Sequence, residues 1–167
     1  MRIYVTCSPN TNGYMEKYRS LIEQHCCAIV NVADSPEKTF DFADSGKPSF
    51  WIPVHETNLW GYSPFYAAAK IADEYQCILL HCIAGVNRSK CIAYAILKAE
   101  GLSELEIKNH IDDDVVDLFK HNMDTFGYIP NDIIEFLKAR KQYPTYTMSG
   151  LLGAINSPNR IYKRGKV

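Results

Sequence analysis

The stretch CILLHCIAGVNRSKCIAYAILKAE, residues 77–100, decides the fold. Its first five residues, CILLH, an apolar run closed by His81, read as a fully buried strand, and KCIAYAILKAE has the length and residue types of a helix. Between them a turn containing Gly85 carries Cys82 and, six places on, Arg88. Cysteine is readily buried and arginine almost never is unless paired, so the two make a poor pair for building a core. The junction of a buried strand and a helix N-terminus needs another reason for them.

Working outward, RIYVTC (2–7) and CAIVNV (27–32) are short β-branched-rich runs flanking GYMEKYRSLIEQH, where Met15, Tyr18, Leu21 and Ile22 fall at helical spacing. FWIPV (50–54) reads as a further strand, followed by a helix over PFYAAAKIADEY with Ser63 as N-cap and Pro64 as first helical residue. Gly101 ends the helix of the opening stretch, and Ser103 with Glu106 forms a capping box for the next one. There Ile107, Ile111, Val115, Leu118 and Phe119 make an apolar stripe that belongs to the core. YIPNDIIEFLKARKQ is a last helix capped by Asn131. Alternating strands and helices predict an α/β fold, a central mainly parallel twisted sheet of about four to five strands flanked by helices. In such sheets sites form at the carboxyl ends of the strands. Residues 1–142 are expected to form one catalytic domain; in 143–167 the rising Gly, Ser, Asn and Pro content suggests an extension that is loosely packed or disordered.

A length of 167 residues with 47% hydrophobic and 22% charged residues suits one globular domain and excludes wholesale disorder. Eighteen basic against nineteen acidic residues leave a net charge of −1, so any attraction for anions has to be local. No apolar window reaches membrane-spanning length and the start carries no secretory signal, so a cytoplasmic protein is expected, with the nucleus open to it, and no membrane partner. The six cysteines show no paired zinc spacing and are read as free thiols; neither metal nor cofactor is expected.

The turn at 82–87 supplies an anion site from backbone alone. Unpaired N–H groups at a helix start and the positive end of its dipole favour phosphate or sulfate, and Gly85 allows close approach. The same field stabilises a thiolate on Cys82, making the sulfur a nucleophile. Arg88 can present two parallel N–H donors to phosphoryl oxygens, so binding falls to Ile83, Ala84, Gly85, Val86, Asn87 and Arg88. Ser89 can donate its hydroxyl to the sulfur when it leaves, and His81 is a supporting residue that bonds loop backbone. Six cysteines and six arginines give about 0.2 chance pairs at this spacing, so the pair alone is weak. The surrounding His, Gly and Ser make it specific.

HCIAGVNRS resembles the His-Cys-x5-Arg-Ser/Thr signature of the cysteine-dependent protein tyrosine phosphatase superfamily, and the chain's size points to the dual-specificity branch. IVNVAD, FWIPVHET and YIPNDIIEFL extend the likeness over roughly residues 1–140. The resemblance implies metal-independent hydrolysis of phosphate monoesters in two steps through a phosphocysteine on Cys82. It also implies a general acid on the loop after the strand at 50–54, where HETNLW offers Glu56 in place of the family's usual aspartate. A glutamate suits that role if burial keeps it protonated near working pH. His55, which is adjacent, and Asp34, which follows another strand, are rivals.

No lysine occurs among residues 83–87, which speaks against a highly charged inositol phosphate and for a phosphorylated protein, on tyrosine and on serine or threonine. Gly-x-Asn-Arg at 85–88 is also similar to RNA 5′-triphosphatases of the superfamily, leaving an RNA 5′ end as the alternative partner. A phosphate-binding pseudoenzyme or adaptor would need only Arg88 and the loop, and intact Cys82 argues against it. A rhodanese-like sulfurtransferase fits the His-Cys and Arg-Ser frame less well. Trp60, Tyr62 and Tyr66 either flank the pocket mouth or pack around the loop and helix. Cys77 and Cys91 are taken as structural thiols rather than disulfide partners of Cys82.

Overall fold

A computed structural model describes residues 1–6, 15–25, 28–35, 46–55, 62–83, 88–111, 131–142 and 162–164. Among these, β1 (Arg2–Thr6), α1 (Met15–Gln24), β2 (Ala28–Asn31), β3 (Ser49–Trp51), α2 (Tyr62–Tyr75), β4 (Cys77–His81), α3 (Arg88–Ala99), α4 (Glu104–Ile111), α5 (Asn131–Ala139) and β5 (Tyr162–Arg164) follow in chain order, with a 3₁₀ turn over Arg140–Gln142. The strands form one sheet in the order β1-β4-β2-β3-β5. The first four are parallel, and β5 joins the β3 edge antiparallel. This is the mainly parallel α/β sheet that alternating strand and helix patterns imply.

The register brings the strand ends level. Thr6 and Asn31 both face His81, and Asn31 faces Trp51. Val32 N–H then donates to His81 O at 2.8 Å and Ile52 N–H to Asn31 O at 2.8 Å. The segments leaving β4, β2 and β3 therefore start side by side at one edge. Central β4 is walled by Ile78, Leu79 and Leu80, all fully buried, as expected for a parallel strand covered on both faces. The core continues through Phe50, Phe65, Ile71, Ile92, Ile96, Ile107 and Leu137.

Local signals locate most element ends. Gly101 adopts φ +93°, and its N–H reaches Lys98 O at 3.0 Å while Leu102 N–H reaches Leu97 O at 3.2 Å, the paired bonds of a left-handed helix stop. Ser103 N–H donates to Glu106 Oε2 at 2.7 Å and Glu106 N–H to Ser103 Oγ at 3.3 Å, the expected capping box. Ile107 of the apolar stripe is buried; the side chain of Ile111 and residues 112–120 lie outside the described residues. Two boundaries differ from expectation. The β3 ladder ends at Trp51 rather than residue 54: Pro53 has no N–H to continue it, although Ile52 and Val54 stay buried. Helix α2 starts at Tyr62, which puts Ser63 and Pro64 inside its first turn, where a proline costs no intrahelical bond. The three residues of β5 pair Trp51 with Tyr162, Phe50 with Lys163 and Ser49 with Arg164.

The free edge of β1 is covered by α4. Ile3 N–H donates to His110 Nε2 at 3.1 Å, so that nitrogen must carry a lone pair. Burial pushes the His110 imidazole below its ordinary value, and the positive charges of Arg2 and the N-terminus act the same way. A depressed histidine contributes stability that is present above its unfolded value near 6.5 and is lost as pH falls through the folded one. Thermal melts between pH 7.5 and 5 should show a decline that is shallower in His110→Gln, whose amide oxygen accepts at any pH. Parallel declines in the two proteins would refute this role.

Candidate active site

Buried β4 ends at His81 with Cys82 directly after it, and α3 begins at Arg88, so strand and helix hold the ends of the turn between them. Cys82 is 2% exposed, and its Sγ lies 3.3 Å from Ser89 Oγ. Ser89 occupies the first turn of α3 and is fully buried, so its hydroxyl is aimed at the sulfur rather than at solvent. His81 Nδ1 lies 3.2 Å from Cys82 O. A carbonyl oxygen only accepts, so Nδ1 carries the proton, and the imidazole braces the backbone on which the sulfur sits. Ile83 is exposed; Ala84, Gly85, Val86 and Asn87 lie outside the described residues.

Arg88 is 5% exposed. A buried guanidinium has to be held by acceptors, and two come from neighbouring strand ends. Nη1 donates to Val54 O at 2.9 Å, after β3, and lies 3.5 Å from Asp34 Oδ1, after β2. Asp34 Oδ2 is 3.9 Å from His55 Nδ1. Thus the two rivals for proton donor, Asp34 and His55, meet beside Arg88, with the Asp34 carboxylate engaged by both. Glu56, the expected acid, follows His55 directly and lies outside the described residues.

Two contributors escaped the sequence reading. Asn31, a polar residue inside a fully buried strand, accepts Ala33 N–H on Oδ1 at 2.8 Å and donates from Nδ2 to Ser35 O at 2.8 Å, which shapes the turn carrying Asp34. Its presence in the apolar run CAIVNV was the available signal. Val54 acts through its carbonyl, which no side-chain motif records.

Cys91, 1% exposed, is a protonated thiol. Burial raises it to about 11, the positive charge of Lys90 opposes that, and the neighbouring Cys82 adds to it. This agrees with a structural role for Cys91, while Cys77 is half-buried. Tyr62 and Tyr66 pack on Phe136 of α5, with ring centroids 5.0 and 5.5 Å away, and the Tyr62 hydroxyl bonds Asp132. Tyr62 is exposed and Tyr66 is buried; Trp60 lies outside the described residues.

The arrangement offers a buried sulfur, a hydroxyl aimed at it, and a fixed cation at a helix N-terminus. Neither a family model nor a curated sequence matches the chain significantly. Solved structures do. PTPMT1 matches with a TM-score of 0.57 at 14% identity, covering 84% of this chain and 94% of that one. Tk-PTP in its active form gives 0.53 at 15%, covering 84% and 93%. The core catalytic domain of the PP-IP phosphatase SIW14 from S. cerevisiae gives 0.50 at 16%, covering 85% and 89%. The chain has the fold of the cysteine-dependent tyrosine and dual-specificity phosphatases.

Proposed function

We propose that this protein is a metal-independent cysteine phosphatase that hydrolyses phosphate monoesters on phosphoproteins, at tyrosine and at serine or threonine. The observation that carries the reading is the Cys82–Ser89–Arg88 group, with sulfur and hydroxyl 3.3 Å apart at the start of α3. In the first step Cys82 sulfur attacks phosphorus, the bond from phosphorus to the ester oxygen breaks, and Glu56 gives the leaving alkoxide or phenoxide a proton. In the second, water attacks phosphorus, the sulfur–phosphorus bond breaks, and Glu56 takes the water's proton while the Ser89 hydroxyl stabilises the departing thiolate. Arg88 and the backbone N–H groups of residues 83–87 hold the equatorial oxygens throughout, which is where phosphoryl transfer spreads its charge.

Two solved structures with this fold are PTPMT1 in complex with PI(5)P and the PP-IP phosphatase SIW14. Residues 83–87 of this chain contain no cation to match a headgroup carrying several phosphates, which supports a phosphorylated protein side chain instead. Asn87 before Arg88 favours the second reading, a 5′-triphosphorylated RNA end.

The test compares the purified protein with Cys82→Ser on phosphotyrosyl peptide, phosphothreonyl peptide and 5′-triphosphorylated RNA, each with vanadate and with chelator. Activity on the peptides that is lost in the variant, blocked by vanadate and indifferent to chelator supports the reading; hydrolysis of the RNA alone would replace it with the second. The acid is tested separately. Glu56→Gln should lower kcat/KM on phosphotyrosyl peptide by about 100-fold and on p-nitrophenyl phosphate far less, because p-nitrophenolate leaves without a proton. Equal, negligible losses on both would discredit Glu56.

A further inference from the structure

The segments leaving β2 and β3 are tied to each other and to Arg88. Asn31, the last residue of β2, accepts Ala33 N–H and donates to Ser35 O, each at 2.8 Å, so the turn holding Asp34 is closed from within. Trp51, the last residue of β3, donates from Nε1 to Ala33 O at 2.9 Å and fastens that turn to the neighbouring strand. Ala33 is fully buried, while the Asp34 side chain next to it is 43% exposed. A carboxylate on a turn fixed in this way has already given up its backbone freedom, so it holds a partner at little further entropic cost.

The two oxygens of Asp34 meet different partners. Oδ1 is 3.5 Å from Arg88 Nη1, and Oδ2 is 3.9 Å from His55 Nδ1. Both distances are long for hydrogen bonds, so the hold is chiefly electrostatic, on the guanidinium always and on the imidazole when it carries its second proton. Arg88 Nη1 also donates to Val54 O at 2.9 Å. Successive residues after β3 are therefore anchored, Val54 by its carbonyl to the guanidinium and His55 by its ring to the carboxylate beside it. Glu56 is the next residue in the chain, so whatever fixes 54 and 55 fixes the point from which the expected acid departs.

We infer that Asp34 is a positioning residue for proton transfer: through His55 it seats the root of the segment carrying Glu56 against Arg88, and so sets the acid's place relative to the leaving oxygen. The inference rests on the reading of Glu56 as the acid and of Arg88 as the phosphate ligand. Misplacing a catalytic group by about 1 Å can cost on the order of 100-fold. With Val54 O still bonded to Arg88, loss of the Asp34 contact alone should cost about tenfold.

The test measures kcat/KM on phosphotyrosyl peptide and on p-nitrophenyl phosphate in the wild type, Asp34→Asn, His55→Leu, Glu56→Gln, and Asp34→Asn combined with Glu56→Gln. Asp34→Asn and His55→Leu should each lower the peptide value about tenfold and the p-nitrophenyl phosphate value by about twofold at most, because only the peptide's leaving group needs the acid. Added to Glu56→Gln, Asp34→Asn should cost the peptide nothing further, since seating the acid has no value once its proton is gone. A merely structural role would lower both substrates together, or add its loss to that of Glu56→Gln. Either result overturns the inference, as does wild-type peptide turnover in Asp34→Asn or in His55→Leu. Should Glu56→Gln itself show no dependence on the leaving group, the reading of the acid fails instead; a loss of about 100-fold confined to the peptide in Asp34→Asn would then make Asp34 the proton donor.

Discussion

Cys82→Ser is expected to lower turnover of phosphotyrosyl and phosphothreonyl peptides by three orders of magnitude or more, on the order of the losses seen when a covalent nucleophile is removed. A serine hydroxyl is a far weaker nucleophile than a thiolate, and the Ser89 hydroxyl beside it is no strong base. Binding should survive, because Arg88 and its acceptors are untouched; a catalytically dead protein that still takes up tungstate separates chemistry from binding. Arg88→Lys should lose both. Lysine offers a point charge in place of the fork and cannot keep the Val54 contact while reaching an anion. If Cys82→Ser retained more than about a tenth of wild-type kcat, the nucleophile would have to be sought elsewhere.

Replacing Arg140 by methionine should cost about 3 kcal/mol of stability, a large share of what a domain of this size has. The Arg140 side chain is 1% exposed and closes the ends of three helices. It donates from Nε and Nη2 to the Asp73 carboxylate of α2 at 2.9 and 3.0 Å, from Nη1 to Leu137 O of α5 at 2.7 Å, and to Glu100 just past α3. Lys141 meets the other Glu100 oxygen at 3.0 Å. Methionine restores the volume but leaves the Asp73 carboxylate, one Glu100 oxygen and the Leu137 carbonyl without the Arg140 donor, and the partial exposure of the carboxylates keeps the cost at the low end for a broken buried pair. A fall in the urea midpoint measures it; a fall equivalent to less than about 1 kcal/mol would show the network to be dispensable. The network also has a pH signature. Burial raises the Glu100 carboxyl, but hydrogen bonds from Lys141 and Arg140 outweigh it and hold the group below its ordinary value. Glu100 thus contributes stability present above its unfolded value and lost as pH falls through the folded one, so the wild-type protein should lose its advantage over Arg140→Met in acid.

The elements that the chain announces locally are those whose cause is local. CILLH is a strand because its run of Ile78, Leu79 and Leu80 is short and apolar, Gly101 stops α3 because it takes φ +93°, and Ser103 and Glu106 cap α4 through each other. Cys82, Ser89 and Arg88 were legible for the same reason, since one turn joins them. The contact between Asp34 and Arg88 was not. It arises because β2 lies next to β4 with Asn31 level with His81, a pairing across 50 residues that no spacing encodes. Strand β5 is a like case: YKR has no apolar alternation, and only the β3 edge makes a strand of it. Pro53 shows the reverse, a local rule overlooked within an apolar run.

The central claim is that phosphate passes through the sulfur of Cys82. Rapid acid quenching during turnover of a phosphotyrosyl peptide, followed by mass spectrometry of the fragment containing residue 82, tests it most directly. The account predicts one added phosphoryl group, located on Cys82, formed and lost at rates that match turnover. Steady turnover with Cys82 unmodified throughout, or a phosphoryl group on another residue that keeps pace with catalysis, would contradict it.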